Sequence, residues 1–211
     1  MKKFADIELY LITDRRIFAD SSLLFSAIEE ALEGGVKAIQ LREKDLPIRE
    51  LLSMAYHVRE LTDRYSARLF INDRVDVAVA VWADGVHLGQ GSMPASAAKK
   101  VSRELLVGVS THSLEEAMDA EKEGADFVTF GPVYPTPSKI QYGEPVGIEA
   151  LRRVCSGVSL PVLAIGGVTA ERIREVRSSR ADGVAVISAV LGSPMIKQTT
   201  ERFLRCLHDK N

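Results

Sequence analysis

Short apolar segments rich in β-branched residues alternate along the chain with longer segments whose apolar residues recur at helical spacing. The short segments are apolar almost throughout, which is typical of parallel strands covered by helices. Eight of them are predicted strands, namely Leu9–Thr13, Ala38–Arg42, Leu69–Asn72, Gly85–Leu88, Leu106–Ser110, Phe127–Gly131, Val162–Gly166 and Gly183–Ser188. The pattern therefore predicts an α/β protein built on a parallel sheet.

A helical segment follows each predicted strand. Leu24, Ile28 and Leu32 share one face of the first such segment, and Ser113 with Glu116 forms a capping box at the start of a later one. Eight strand–helix units predict a single (β/α)₈ TIM barrel that occupies residues 1–211 as one domain. An open doubly wound sheet is the alternative, and the lack of an early Gly-rich dinucleotide fingerprint disfavours it.

Net charge and cysteine content limit the classes of binding partner and of cellular compartment that we expect for this protein. The 211 residues carry a net charge of -2, with a pI near 6.1, which argues against binding to nucleic acid or to an anionic membrane surface. The first residues lack the apolar core of a secretory signal, and no uncharged stretch is long enough for a membrane span. Cys155 and Cys206 have no metal-binding or redox spacing. We therefore expect a cytoplasmic protein that acts on small molecules, without nucleic-acid or membrane partners; a homo-oligomer is compatible with the sequence.

Polar residues at the carboxyl ends of barrel strands form the site in this fold, because the following loops meet there. The second predicted strand ends in Gln40-Leu41-Arg42-Glu43-Lys44. Alternation places Gln40, Arg42 and Lys44 on one side, and two cations beside an amide suit an anion with several phosphate oxygens. An ion network that only solvates the end of the strand is the alternative.

The third predicted strand ends in Asn72-Asp73. A carboxylate beside an amide can bind Mg²⁺, which needs only one or two carboxylates together with phosphate oxygens and water. Capping of the following helix by Asp73 is an equal alternative for the motif taken alone. A polyphosphate site at residues 40–44 favours the metal, so we predict Mg²⁺ as cofactor.

Hydroxyl groups and a lysine follow the fifth and sixth predicted strands. The fifth leads into Ser110-Thr111-His112, where a lone histidine is more often structural than catalytic. The sixth runs into a loop containing Thr136-Pro137-Ser138-Lys139, in which hydroxyls precede a lysine, as suits phosphate. The remainder of this loop, residues 139–147, has the glycines and polar residues that a flap closing over substrate would need.

Glycines follow the seventh predicted strand at Gly166-Gly167, and the eighth ends in Ile187-Ser188. This arrangement matches the phosphate-binding loops after strands 7 and 8 of many (β/α)₈ barrels, in which backbone N–H groups hold the anion. The sequence thus predicts a monophosphate cup and a separate Mg²⁺-assisted polyphosphate site, without a Ser–His–Asp set or zinc spacing. Two such sites fit a transfer reaction with diphosphate as the leaving group.

Several sequence blocks, in order from the first strand to the last, resemble thiamine-phosphate synthase and the related TenI-like thiazole tautomerases. They are YLITD at residues 10–14, QLREK at 40–44, IND at 71–73, ADGVHLGQ at 83–90, GVSTHS at 108–113, GPVYPTPSK at 131–139, AIGGV at 164–168 and ADGVAVISA at 181–189. The resemblance implies a (β/α)₈ transferase of thiamine biosynthesis, which joins hydroxymethylpyrimidine diphosphate to thiazole phosphate and releases diphosphate.

The resemblance also implies roles for individual residues. Asp73 would bind Mg²⁺, and catalysis would fall to Arg42, Lys44, Ser110 and Lys139. The residues expected to contact the two substrates are Gln40, Leu41, Arg42, Glu43, Lys44, Asn72, Ser110, Thr136, Pro137, Ser138, Lys139, Gly167, Ile187 and Ser188.

Two positions depart from the family pattern. Synthases place a second Mg²⁺-binding Asp where this chain has Ser92, and a neutral hydroxyl is a weak Mg²⁺ ligand. Tautomerases also lack this acid, yet their usual catalytic His is Pro132 here. A synthase is the first prediction, a tautomerase acting on a thiazole carboxylate phosphate is the alternative, and a non-catalytic binder of phosphorylated ligands is less favoured.

Overall fold

The computed structural model describes residues 7–136 and 144–209, in which eight parallel strands close into a barrel with neighbours in sequence order. The strands are β1 Leu9–Ile12, β2 Ala38–Leu41, β3 Arg68–Asn72, β4 Gly85–Leu88, β5 Leu106–Thr111, β6 Phe127–Phe130, β7 Val162–Ile165 and β8 Gly183–Val186. β8 pairs with β1 and completes the ring. The predicted (β/α)₈ fold is confirmed, and the open sheet is excluded.

Helices alternate with the strands and cover the outside of the barrel. They are α1 Leu23–Glu33, α2 Ile48–Arg64, α3 Val75–Ala80, α4 Ala95–Val101, α5 Leu114–Lys122, α6 Gly147–Gly157, α7 Ile173–Ser178, α8 Ser188–Leu191 and α9 Ile196–His208, with 3₁₀ turns at Arg15–Ile17 and Ala170–Arg172. The predicted capping box is present, since the Ser113 hydroxyl accepts from the Glu116 N–H at 3.1 Å. Within the described residues, no helix is both long and apolar enough to cross a membrane.

The predicted strand ends agree with the structure to within one residue, except at the last strand, which needs a larger correction. We predicted a last strand that reaches Ser188, whereas β8 ends at Val186 and Ser188 begins α8. The backbone of Ile187, with φ -123° and ψ -93°, leaves the extended conformation at this point. The turn places Ser188 at the mouth of the barrel instead of in its wall.

The strands separate two cores. Outward side chains pack against the helices, and inward side chains form a smaller cluster that includes Tyr10, Phe70 and Phe127. The three aromatic rings meet edge to face, with centroids 5.4–5.6 Å apart. Gly85 and Gly108 make room for them, because a Cβ on Gly108 would lie 2.3 Å from Cζ of Phe127. The floor beneath the barrel mouth is therefore apolar and closely packed.

Gly108→Ala should lower the free energy of unfolding by about 2 kcal/mol, because the added methyl group overpacks the ring of Phe127. Urea unfolding of the variant and the wild type measures this difference. Gly91→Ala is the matched control, since no atom lies within 4 Å of a Cβ built there. Equal stability of the two variants would contradict the account of the aromatic floor.

Candidate active site at the barrel mouth

The larger of two cavities at the barrel mouth lies at the carboxyl ends of β5 to β8 and has a volume of about 360 Å³. Its lining combines small polar side chains with the glycine turn after β7 and the start of α8. The residues are Ser110, Thr111, His112, Thr129, Gly131, Pro132, Pro135, Thr136, Ile165, Gly166, Gly167, Val168, Thr169, Arg172, Ala185, Val186, Ile187, Ser188 and Ala189. The cavity thus brings together Ser110, Thr136, Gly167, Ile187 and Ser188, five of the residues predicted to bind substrate.

The glycine turn after β7 is a part of the cavity border where side chains do not fit. Gly166 and Gly167 both adopt positive φ, at 92° and 65°, which side chains disfavour. A Cβ on Gly167 would also lie 2.6 Å from the carbonyl oxygen of Pro135. Because these positions exclude side chains, the backbone itself borders the cavity opposite Ile187 and Ser188.

A second cavity, of about 210 Å³, lies at the ends of β2 and β3. Asp73 is its carboxylate, and it is surrounded by donors. Its Oδ2 accepts from the side-chain amide of Asn72 at 2.7 Å and lies 3.5 Å from Nζ of Lys44. Its Oδ1 accepts from the hydroxyl of Ser92 and from the N–H of Gly89 at 3.4 Å. The fold therefore unites the two predicted metal-binding residues, Asp73 and Ser92, with Lys44 and Asn72.

The environment of Asp73 keeps its carboxyl group ionised. Partial burial by itself would raise the pKa, but the hydrogen bond from Ser92 and the charge of Lys44 outweigh that effect. Smaller contributions from the Gly89 N–H and the Asn72 amide act in the same direction, so the pKa of Asp73 lies below its usual value. A charged carboxylate with an amide and a hydroxyl beside it is a set of hard oxygen donors.

The fit of this site to Mg²⁺ depends on oxygen atoms from a ligand. No group of three or more His, Cys, Asp or Glu side chains that could hold a metal occurs among residues 7–136 and 144–209. Mg²⁺ prefers six oxygen ligands and commonly takes several of them from phosphate groups and water. Asp73 and Ser92 fit Mg²⁺ only as part of such a shared set.

The polar residues in β2 and directly after it lie where alternation predicts. Gln40 is buried inside the barrel and donates from Nε2 to the Tyr10 hydroxyl at 3.2 Å. Arg42 is half-buried, with its N–H bound to the Thr13 hydroxyl at 2.9 Å, and Lys44 is exposed. The three side chains thus rise from the floor of the barrel towards solvent, with the two cations uppermost.

Two residues of the same segment have structural contacts within the protein itself. Glu43 is only 4% exposed, and its carboxylate accepts from the Thr13 hydroxyl at 2.7 Å and from the N–H and guanidinium of Arg15. It ties the loop after β1 to the end of β2. Leu41 is fully buried and packs in the core between barrel and helices. The side chains of Glu43 and Leu41 are thus engaged in structure. Both residues also line the second cavity, and their contact with substrate stays a prediction.

Sequence reasoning missed a buried polar cluster below the larger cavity. His87 Nε2 lies 3.0 Å from the Ser110 hydroxyl and 3.4 Å from that of Thr129. His87 Nδ1 is buried without a hydrogen-bond partner among the described residues. An unsatisfied buried N–H costs about 1–3 kcal/mol, so the proton of the neutral ring belongs on Nε2. His87 then donates to Ser110, which leaves the serine proton free for the cavity. The sequence feature that could have indicated this cluster is a histidine two residues after Gly85 in a buried strand.

The remaining residues near the larger cavity include one predicted histidine and one arginine that was not predicted, and some predicted residues are not described. His112 borders the larger cavity, and its ring pairs with Glu116 at 3.1 Å, which agrees with the structural interpretation of a lone histidine. Pro137, Ser138 and Lys139, together with most of the predicted flap, lie outside the described residues. Arg172, which was not among the predicted residues, borders the larger cavity as well.

Burial of His87 makes folding sensitive to acid. Desolvation lowers its pKa to about 3, with a smaller opposing effect from Asp73 and lesser contributions from Arg42 and Lys44. The unfolded chain therefore binds a proton below about pH 6.5 that the folded chain excludes until about pH 3. The contribution of His87 to stability is complete above pH 6.5 and is lost as the pH falls.

Between pH 7 and pH 5 the wild type should lose about 2 kcal/mol of unfolding free energy through this residue. Urea unfolding at both values should show the loss, and His87→Leu should show a smaller difference between the two. Aspartates and glutamates titrate mainly below this interval. A difference that persists unchanged in His87→Leu would place the acid sensitivity elsewhere.

The architecture now defines a class of protein. A closed (β/α)₈ barrel with a glycine turn after β7 and a small-residue turn after β8 is a phosphate-binding barrel. Within that class, a family model described as "Thiamine monophosphate synthase" matches residues 9–190. The chain belongs to this family, so the predicted family is confirmed.

Relatives of this family cover almost the whole chain. A protein of Geobacter sulfurreducens named "Putative thiamine-phosphate synthase" is 50% identical over 203 residues, which are 96% of this chain and 95% of the relative. The thiamine-phosphate synthase of Pyrococcus horikoshii is 43% identical over 96% of each chain. The solved structure of thiamine phosphate pyrophosphorylase from Pyrococcus furiosus superposes with a TM-score of 0.88, with 43% identity over 96% of each chain.

Proposed function

We propose that this chain condenses hydroxymethylpyrimidine diphosphate with thiazole phosphate to give thiamine phosphate and diphosphate. The observation that carries the proposal is the meeting of two unlike anion sites at one barrel mouth. The ends of β2 and β3 hold Arg42, Lys44 and ionised Asp73, whereas the ends of β7 and β8 offer a glycine turn and Ser188. A diphosphate and a monophosphate are the ligands that suit these two environments.

The chemistry requires the bond between the pyrimidine methylene carbon and the diphosphate oxygen to break. The electron pair leaves with diphosphate, and the thiazole nitrogen lone pair then forms the new C–N bond to the methylene cation. Arg42 and Lys44 supply positive charge where the leaving group gains negative charge, which lowers the barrier to its departure. Ser110 lines the larger cavity, and Gln40 lies buried inside the barrel beside Tyr10. Both would orient the pyrimidine and its diphosphate.

We also propose Mg²⁺ as the cofactor of this step. Asp73 would bind it directly, Ser92 and Asn72 would complete the protein side, and bound Mg²⁺ would neutralise charge on the diphosphate. Lys44 lies 3.5 Å from the Asp73 carboxylate and therefore contacts the same region from solvent. The protein provides one carboxylate, so most of the coordination would come from the diphosphate and water.

A thiazole tautomerase is the second candidate function, and Ser92 is the observation that favours it. A tautomerase needs one phosphate cup and no second metal-binding acid, and Ser92 removes that acid here. Pro132 at the position of the usual tautomerase histidine argues against it. The cations at the end of β2 have a clear purpose only if a diphosphate binds, so the synthase remains the stronger proposal.

We further propose that the enzyme works in the cytoplasm on small phosphorylated substrates, without nucleic acid and with a homo-oligomer as one compatible state. The free cysteines Cys155 and Cys206 agree with a reducing compartment. The net charge of -2 agrees with the absence of a nucleic-acid surface.

Arg42→Ala and Lys44→Ala should each raise the KM for the pyrimidine diphosphate about tenfold or more and lower turnover. Each removes a charge-assisted contact worth about 1.5–3 kcal/mol. Steady-state kinetics with thiazole phosphate saturating measures the effect. Lys100→Ala is the matched control, because Lys100 is an exposed lysine near the end of α4, whose carboxyl end faces away from the barrel mouth. If both site variants kept wild-type kinetics, the diphosphate would not bind at Arg42 and Lys44.

Ser92→Asp should lower the Mg²⁺ concentration needed for half-maximal rate, because it adds a second hard ligand beside Asp73. We would measure thiamine phosphate formation against Mg²⁺ and, separately, Mg²⁺ binding by calorimetry with inorganic diphosphate present. Ser96→Asp adds the same charge on α4 outside the donor set and should change neither quantity. If no variant forms product at any Mg²⁺ concentration while the thiazole carboxylate phosphate is isomerised, the tautomerase replaces the synthase.

A further inference from the structure

One cation in the larger cavity has no role in the reaction as described so far. Arg172 ends the 3₁₀ turn after β7 and borders the cavity together with Gly166, Gly167 and Ser188. It is the only lysine or arginine among the described residues that line this cavity. The other polar groups around the glycine turn are neutral. Among the described residues that line the cavity, Arg172 is therefore the source of fixed positive charge.

The guanidinium of Arg172 is held in place from two sides. Its Nη1 donates to the carbonyl oxygen of Gly167 at 2.5 Å. Its Cζ lies 4.4 Å from the centroid of the Tyr134 ring, which is within range of a cation–π contact. Tyr134 is anchored in turn, since its hydroxyl donates to Glu175 at 2.7 Å and its N–H donates to the Gly166 carbonyl at 3.0 Å. The arginine thus joins the loop after β6 to the glycine turn.

The charge of Arg172 is not neutralised within the described part of the chain. The salt bridges recorded there do not include it, although the neighbouring Glu171 pairs with Arg202 at 2.6 Å. Glu175 accepts from the hydroxyl of Tyr134, whose ring lies beneath the guanidinium. A guanidinium has five N–H donors, and the contact with Gly167 uses one. Free donors and an uncompensated charge beside a cavity favour an anionic ligand.

We propose that Arg172 is a further substrate-binding residue that supplies the positive charge for the monophosphate cup and holds its glycine turn in shape. This inference rests on the proposed function, which places the thiazole phosphate in this cavity. A phosphate ester carries a charge of about -1.5 to -2 at pH 7, which backbone N–H groups alone do not balance. Arg172 provides one full charge, and its bond to the Gly167 carbonyl keeps that peptide oriented with its oxygen away from the anion.

The test compares the two substrates separately. Arg172→Met should raise the KM for thiazole phosphate about tenfold or more and leave the KM for the pyrimidine diphosphate within about twofold. Arg172→Lys, which keeps the charge and loses the planar fork, should give an intermediate KM. Arg174→Met is the matched control, since Arg174 is an exposed arginine two residues along that lines a separate outer cavity.

Calorimetric titration with thiazole phosphate supplies a readout that does not depend on turnover. If the wild type forms no thiamine phosphate but binds thiazole phosphate through Arg172, the proposed reaction fails and the role of Arg172 stands. If the wild type is active and Arg172→Met leaves the KM for thiazole phosphate unchanged, the role of Arg172 fails. Equal losses of affinity for both substrates in Arg172→Met would also contradict the role of Arg172. Should Arg172→Met not fold, Arg172→Gln takes its place with the same expected outcomes.

Discussion

Closure of the parallel barrel around an aromatic floor is the constraint on which the rest of this structure depends. Tyr10, Phe70 and Phe127 fill the interior edge to face, and glycines on neighbouring strands give their rings the necessary space. Because the floor is apolar, polar side chains one step higher on each strand must face the mouth or find partners. Gln40 and His87 do so through Tyr10 and Ser110, and this defines the depth of the site.

The mouth above this floor is divided electrostatically. One side, at the ends of β2 and β3, carries Arg42, Lys44 and Asp73 on side chains that reach towards solvent. The other side combines a glycine turn, where side chains do not fit, with Arg172, which is held by the Gly167 carbonyl. Binding by long flexible cations and binding by a rigid turn suit different anions, a mobile leaving group and a substrate that must be held still.

Ser92 shows how one side chain changes the electrostatic environment of a carboxylate at such a site. Its hydroxyl donates to Asp73, so this carboxylate is stabilised by hydrogen bonds and by Lys44 within the protein itself. A second carboxylate at this position would repel Asp73 and require a cation to compensate. With serine, hydrogen-bond donors and Lys44 stabilise a single carboxylate, so the proposed Mg²⁺ would take most of its ligands from substrate oxygens and water.

Local pattern determined the barrel, its strand order and much of the mouth, because strand–helix alternation and strand-end chemistry are properties of neighbouring residues. Gln40, Arg42 and Lys44 could be placed from alternation, and Asp73 from its position at the end of a strand. Tertiary structure decided what depends on partners far along the chain. Glu43 became structural because Thr13 and Arg15, some 30 positions away, occupy its carboxylate. Likewise, Arg172 gained a role only because folding brought Tyr134 beneath it, and no local pattern encodes that contact.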